Sequence, residues 1–140
     1  INNLKKKKYI LIMDRTQILR AFNDHFIELI EDIERAFPEN KDIKTLKNLL
    51  HKARKANPRM ILTLVKTRIL SKYRDKIENS DLSFFIEKDY SNDLSEAKNS
   101  SIIINKLEQI RGSIRDMDDS EKEKVLKYLK NLVRLSDLYK

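Results

Sequence analysis

Between Ile18 and Phe37, apolar side chains fall at Ile18, Leu19, Phe22, Phe26, Leu29, Ile30, Ile33 and Phe37, every third or fourth position or next to one another. That is the period of an α-helix with one apolar side; a strand would alternate every second residue. The same spacing returns repeatedly along the chain, and only one glycine, Gly112, and two prolines, Pro38 and Pro58, interrupt 140 residues. So few breakers argue against a turn-rich β-sandwich and for long helices. The expected fold class is all-α: a single-domain helical bundle of about five main helices plus one short helix.

The boundaries follow from caps and breakers. A first helix is expected over residues 14–37, with Asp14 as N-cap and Phe37–Pro38 as its stop, because the residue before proline is pushed out of helical geometry. A second starts near Asp42 as N-cap and buries Ile43, Leu46, Leu49, Leu50 and Ala53. Asn57 followed by Pro58 marks the N-cap and first position of a third helix, running to about Asn79. Counted at 100° per residue, its Met60, Ile61, Leu62, Leu64, Val65, Ile69, Leu70, Tyr73 and Ile77 cover most of the circumference, as in a centrally placed helix. Residues 81–87 suit a short capped helix that inserts Phe84 and Phe85 into the core, and 88–99 a polar loop. A fourth long helix covers residues 100–116 on Ile103, Leu107, Ile110, Ile114 and Met117. Ser120 to Glu123 has the form of a capping box opening the last helix, whose Val125, Leu126, Leu129, Leu132, Val133 and Ser136 share a face.

Residues 1–12 stand apart. Lys5 to Lys8 precede only Tyr9–Met13, an apolar stretch shorter than the ~7–15 residues of a signal core. With Met13 set directly before the Asp14 cap, residues 1–12 are expected to be a basic extension upstream of the natural start, and 13–140 the helical domain. The chain has no cysteine, which excludes disulfides, thiolate metal sites and cysteine nucleophiles and fits a reducing, intracellular compartment. No apolar run approaches the ~18 residues that would span a bilayer, so no membrane insertion is expected.

The net charge of +8 hides a segregation. Residues 14–40 carry three basic and seven acidic side chains, residues 41–76 twelve basic and two acidic, and residues 77–97 one basic and six acidic. The second and third helices thus form a basic block between acidic segments. On the second helix the cations have a side: Lys44, Lys47, His51, Arg54 and Lys55 lie opposite or flanking the Ile43, Leu46, Leu50 and Ala53 stripe, with Arg59 just beyond. Such a face can bind a polyanion by releasing its counterions, or it can neutralise the acidic segments within the fold and otherwise stay solvated. Lysine outnumbers arginine, which disfavours bidentate recognition, and the join at Ala56–Asn57 suits a buried third helix better than a groove-reading one.

Reactive constellations do not assemble. His25 and His51 are not spaced for a metal, and His25, beside Asn23 and Asp24, is expected to be a boundary residue hydrogen-bonded to a neighbour. Asp81, Glu87, Asp89 and Asp93 could hold a hard cation, but Asp89 to Asp93 lacks the glycine and terminal glutamate of an EF-hand. With one glycine there is no phosphate-cradling loop of the usual form, and no Gly-x-Ser-x-Gly motif occurs. No catalytic residue, metal site or cofactor is expected.

Five segments carry a resemblance: FNDHF at Phe22–Phe26, Phe37–Pro38, DIKT at Asp42–Thr45, KANP at Lys55–Pro58 and FFIEKDY at Phe84–Tyr90. From about Met13 to Tyr139 the chain resembles a family of small helical proteins of large nucleocytoplasmic DNA viruses of algae and protists, a family with no assigned activity. The resemblance implies a setting, the infected host's cytoplasm or viral factory, with the virion as a further possible location, and brings no catalytic residue or cofactor. The expected function is a non-enzymatic binding or structural protein whose helical faces engage viral or host proteins. The alternative is an accessory, sequence-nonspecific nucleic-acid binder using the basic second and third helices.

Overall fold

The computed structural model describes residues 14–83 and 101–139, and within them every regular element is helical. In chain order these are α1 (Arg15–Ala36), α2 (Lys41–Ala56), α3 (Met60–Val65), a π-helical turn (Lys66–Leu70), α4 (Arg74–Glu78), α5 (Ser101–Arg115) and α6 (Asp119–Leu138). The chain is all-α, as its periodicity requires. The expected short helix around Phe84 and Phe85 and the loop over 88–99 lie outside the described residues.

α1 opens on a reciprocal cap. Asp14 Oδ1 accepts from the Gln17 N–H at 2.8 Å while Gln17 Oε1 accepts from the Asp14 N–H at 3.0 Å, satisfying two donors the first turn would leave orphaned. Two other caps differ from expectation. α2 is capped by Asn40, whose Oδ1 accepts from the N–H groups of Asp42 and Ile43, so the helix starts ahead of Asp42. α6 is capped by Asp118, whose Oδ1 accepts from the Glu121 N–H at 2.7 Å, which leaves Ser120 inside the first turn. In both cases an earlier Asn or Asp takes the cap, because either side chain accepts at least as well as the expected one.

The third helix is broken. The Ser71 N–H donates to Lys66 O at 2.9 Å, five residues back, and Tyr73 leaves helical geometry before α4 begins. The wider π-turn shifts the helical phase. An unbroken 100° count therefore smears two narrower apolar faces into one broad one: Ile61, Leu62, Leu64 and Val65 before the turn, Leu70, Tyr73 and Ile77 after it. The start signal at Asn57 is used as a turn, its Oδ1 accepting from the Arg59 N–H at 3.1 Å, and α3 begins at Met60.

α1 packs against α2 on one side and α6 on the other, and α2 also packs against α5. α3 lies against α1 and α2, while the π-turn and α4 lie against α6. Cross-links show these neighbours running antiparallel. Lys47 meets Glu34 and Arg54 meets Asp24 between α1 and α2; Asp42 meets Lys106 and Asn40 meets Ser113 between α2 and α5. Arg15 stacks on the Tyr139 ring at 4.6 Å where α1 begins and α6 has just ended.

One core runs through all of these, with Phe22, Ile30, Ile33, Ile43, Leu46, Leu50, Ile110 and Leu132 among its most enclosed members. The apolar residues expected on α1, α2, α5 and α6 belong to it or pack at its edge, except Ile18, which is buried apart from it. Within it Asn23 Nδ2 donates to Pro58 O at 3.0 Å, fastening the α2–α3 corner to α1.

Candidate polyanion interface

α2 fixes where its charges go. Ile43, Leu46, Leu50 and Ala53 point into the core, so residues on the flank toward α1 meet that helix's acids and residues opposite meet solvent. Lys47 Nζ donates to Glu34 Oε1 at 2.7 Å, and Arg54 pairs with Asp24 at 2.6 Å and reaches the Arg20 carbonyl. The carboxylate of Asp42, the acid of α2, is taken by Lys106 at 2.9 Å.

Lys41, Lys44, Asn48, His51, Lys52 and Lys55 are left on the outward side, all exposed. At three- and four-residue spacing they form one stripe along the rod, about 21 Å from Lys41 to Lys55 at 1.5 Å per residue. Among the described residues no carboxylate pairs with these lysines. Lysines three apart, Lys41 with Lys44 and Lys52 with Lys55, repel one another by a few tenths of a kcal/mol each. An anion laid along the stripe relieves that repulsion.

Of the six candidates, Lys44, His51 and Lys55 share the outward stripe, and Arg59 is exposed just past the α2–α3 corner. Lys47 and Arg54 are instead half-buried in ion pairs with α1. The block therefore neutralises α1 along its flank and leaves a cationic outer face. Lys41 and Lys52 belong to that face and were missed, although Lys41 stands three residues before Lys44, and Lys52 four after Asn48 and three before Lys55.

His25 lies on the α1–α6 seam, and its neighbour differs from expectation. Its ring packs on that of Tyr128, a contact 103 positions along the chain that no local sequence signal announces, and Nε2 is enclosed without a hydrogen-bond partner. Burial pushes its pKa below the ordinary value of 6.5, with Glu28 opposing. The Tyr128 hydroxyl donates to Asp32 Oδ2, and Asp32 also pairs with Arg35. Burial first, and Glu28 next, raise the Tyr128 phenol above its ordinary value. Shallow hollows of about 310 Å³ flank Tyr128.

Hydrogen bonding from the Ser83 side chain and then from its N–H, which donates to Asp81 Oδ1 at 2.9 Å, holds the Asp81 carboxyl below the usual range, with Lys76 aiding. The other members of the acid-rich set lie outside the described residues. Among the described residues no three His, Asp or Glu side chains converge as metal ligands, and no helix is long and apolar enough to cross a membrane.

An all-α fold with a one-sided cationic helix is a class of architecture, and the comparisons go no further: the chain matches no protein-family model, no curated protein and no solved structure.

Proposed function

We propose that the protein is a non-enzymatic binding protein that holds a polyanion, nucleic acid foremost, on the outward face of α2. One observation carries this: Lys41, Lys44, Lys52 and Lys55 line an exposed face without acids, while neighbouring cations turned the other way are paired. Phosphate contacts of this kind are electrostatic and insensitive to sequence. The protein-docking helical face expected first from the sequence has less support, since Ile102 is the exposed large hydrophobic side chain among the described residues. The viral setting rests on the sequence resemblance.

Binding to duplex and single-stranded DNA across salt concentrations tests the function. Lys5, Lys6, Lys7 and Lys8 are replaced by Gln throughout, so that the basic extension does not dominate. Four lysines on phosphates predict a slope of log affinity against log salt of about −3 to −4. Reversing Lys44, Lys52 and Lys55 to Glu should abolish binding with the helical spectrum intact. Binding unaffected by these reversals, or absent at about 50 mM salt, overturns the proposal.

A further inference from the structure

The stripe does not end in a featureless surface. Two residues past Lys55, where α2 ends, the α2–α3 corner opens into a hollow of about 340 Å³. Its lining includes Asn57, Arg59, Met60, Thr63, Leu64 and Thr67. The volume sits at the small end of the ~300–1,000 Å³ of small-molecule clefts.

The lining is of two kinds. Met60, half-buried, and Leu64, buried, supply an apolar floor; the exposed Asn57, Arg59, Thr63 and Thr67 supply an amide, a guanidinium and two hydroxyls around it. Backbone bonds hold the corner in shape, the Met60 N–H donating to Asn57 O at 3.0 Å and the Thr63 N–H to Arg59 O at 3.0 Å. A bare phosphate chain could use the cation and hydroxyls but would leave the floor wet. A nucleotide has both parts, a flat base with apolar faces and polar edges, and a phosphate that charge draws to Arg59. A duplex keeps its bases paired and stacked, so the base must come from an unpaired strand.

Building on the polyanion function of α2, we propose that the hollow beside Arg59 seats one unstacked base of a single-stranded nucleic acid whose phosphates run along the lysine stripe. The partner class is thereby single-stranded DNA or RNA.

Fluorescence anisotropy on the full chain with Lys5 to Lys8 replaced by Gln separates this from general polyanion binding. The probes are an oligothymidine of about 12 nucleotides, an abasic oligomer of the same length, the corresponding duplex and linear polyphosphate. The native hollow should prefer oligothymidine over the abasic oligomer by about tenfold. Thr63→Val with Thr67→Val, near-isosteric at exposed positions, should cut that preference to within about threefold while polyphosphate binding stays unchanged. Equal binding of the base-bearing and abasic oligomers, tighter binding of duplex, or equal competition by polyglutamate overturns the inference. If polyphosphate binds through α2 without any base preference, only the hollow's role falls. If no polyanion binds, the function proposed for α2 falls with it.

Discussion

The rings of His25 and Tyr128 meet across the α1–α6 seam with centroids 4.7 Å apart and planes tilted by 42°. The Tyr128 hydroxyl is anchored to Asp32 at 2.5 Å, whereas His25 Nε2 is enclosed with nothing to bond. The charged groups around His25 are Glu28 and Asp32 on its own helix and Lys124 and Lys127 on α6. A charged His25 therefore has its Nε2 enclosed without a hydrogen bond, a burial cost that Glu28 offsets only in part.

Acid should loosen this seam. His25 titrates below its ordinary 6.5 when folded, so just below that pH the unfolded chain binds the extra proton and the folded protein does not. The histidine's contribution is complete above about pH 6.5 and declines as pH falls through the window beneath it. Thermal melts at pH 7.5 and 5.5 should show the native protein losing more than His25→Phe, which keeps the ring contact and cannot titrate. Equal losses would show that His25 is not the sensor.

Tyr128→Phe keeps the ring contact and removes the hydroxyl. Asp32 retains Arg35, so the loss is limited to about 1 kcal/mol. For a chain of this size that lowers the melting temperature by about 3 °C. An unchanged melt would mean that solvent replaces the bond without cost.

Ser80 closes α4 with φ at 58°, the left-handed geometry in which glycine usually ends a helix. The Asp81 N–H donates to Lys76 O and the Ser80 N–H to Ile77 O, the paired bonds of a Schellman cap. Ser80→Gly should stabilise by about 0.5 kcal/mol, the relief of the side chain being partly offset by greater freedom when unfolded and by loss of the Lys130 bond to Ser80 Oγ. Ser80→Val should destabilise by more than 1 kcal/mol, roughly the left-handed cost for a β-branched residue. Denaturant titration orders the three proteins, and the reverse order would contradict the strain at this position.

Asn40→Ala should cost about 1 kcal/mol, because it leaves the Asp42 and Ile43 N–H groups without their acceptor. Denaturant titration of Asn40→Ala beside Asp42→Ala locates the cap. A larger loss from Asp42→Ala would place it where the sequence suggested.

What could be read from the sequence was whatever depends on neighbours three and four residues away. The core faces of α1, α2, α5 and α6 follow from apolar spacing, since a helix with such a stripe has one way to bury it. The caps were harder: Asn40 and Asp42, or Asp118 and Ser120, are all competent acceptors, and backbone geometry chooses between them. The break at Ser71–Tyr73 has no breaker residue to announce it. On α2 the cationic character was legible, but its division was not. Whether Lys47 and Arg54 serve a partner or the fold depends on Glu34 and Asp24, which only the α1–α2 packing brings within reach.

The most direct test of α2 as the binding face is an amide-shift titration of the isotope-labelled protein, its Lys5–Lys8 run replaced by Gln, with a short oligonucleotide. Perturbations should follow Lys41, Lys44, Asn48, His51, Lys52 and Lys55 and continue to Arg59, leaving Tyr128 and its surroundings unmoved. Shifts concentrated on the α1–α6 seam, or none at concentrations up to about 1 mM, a Kd weaker than about −4 kcal/mol of binding, would contradict it.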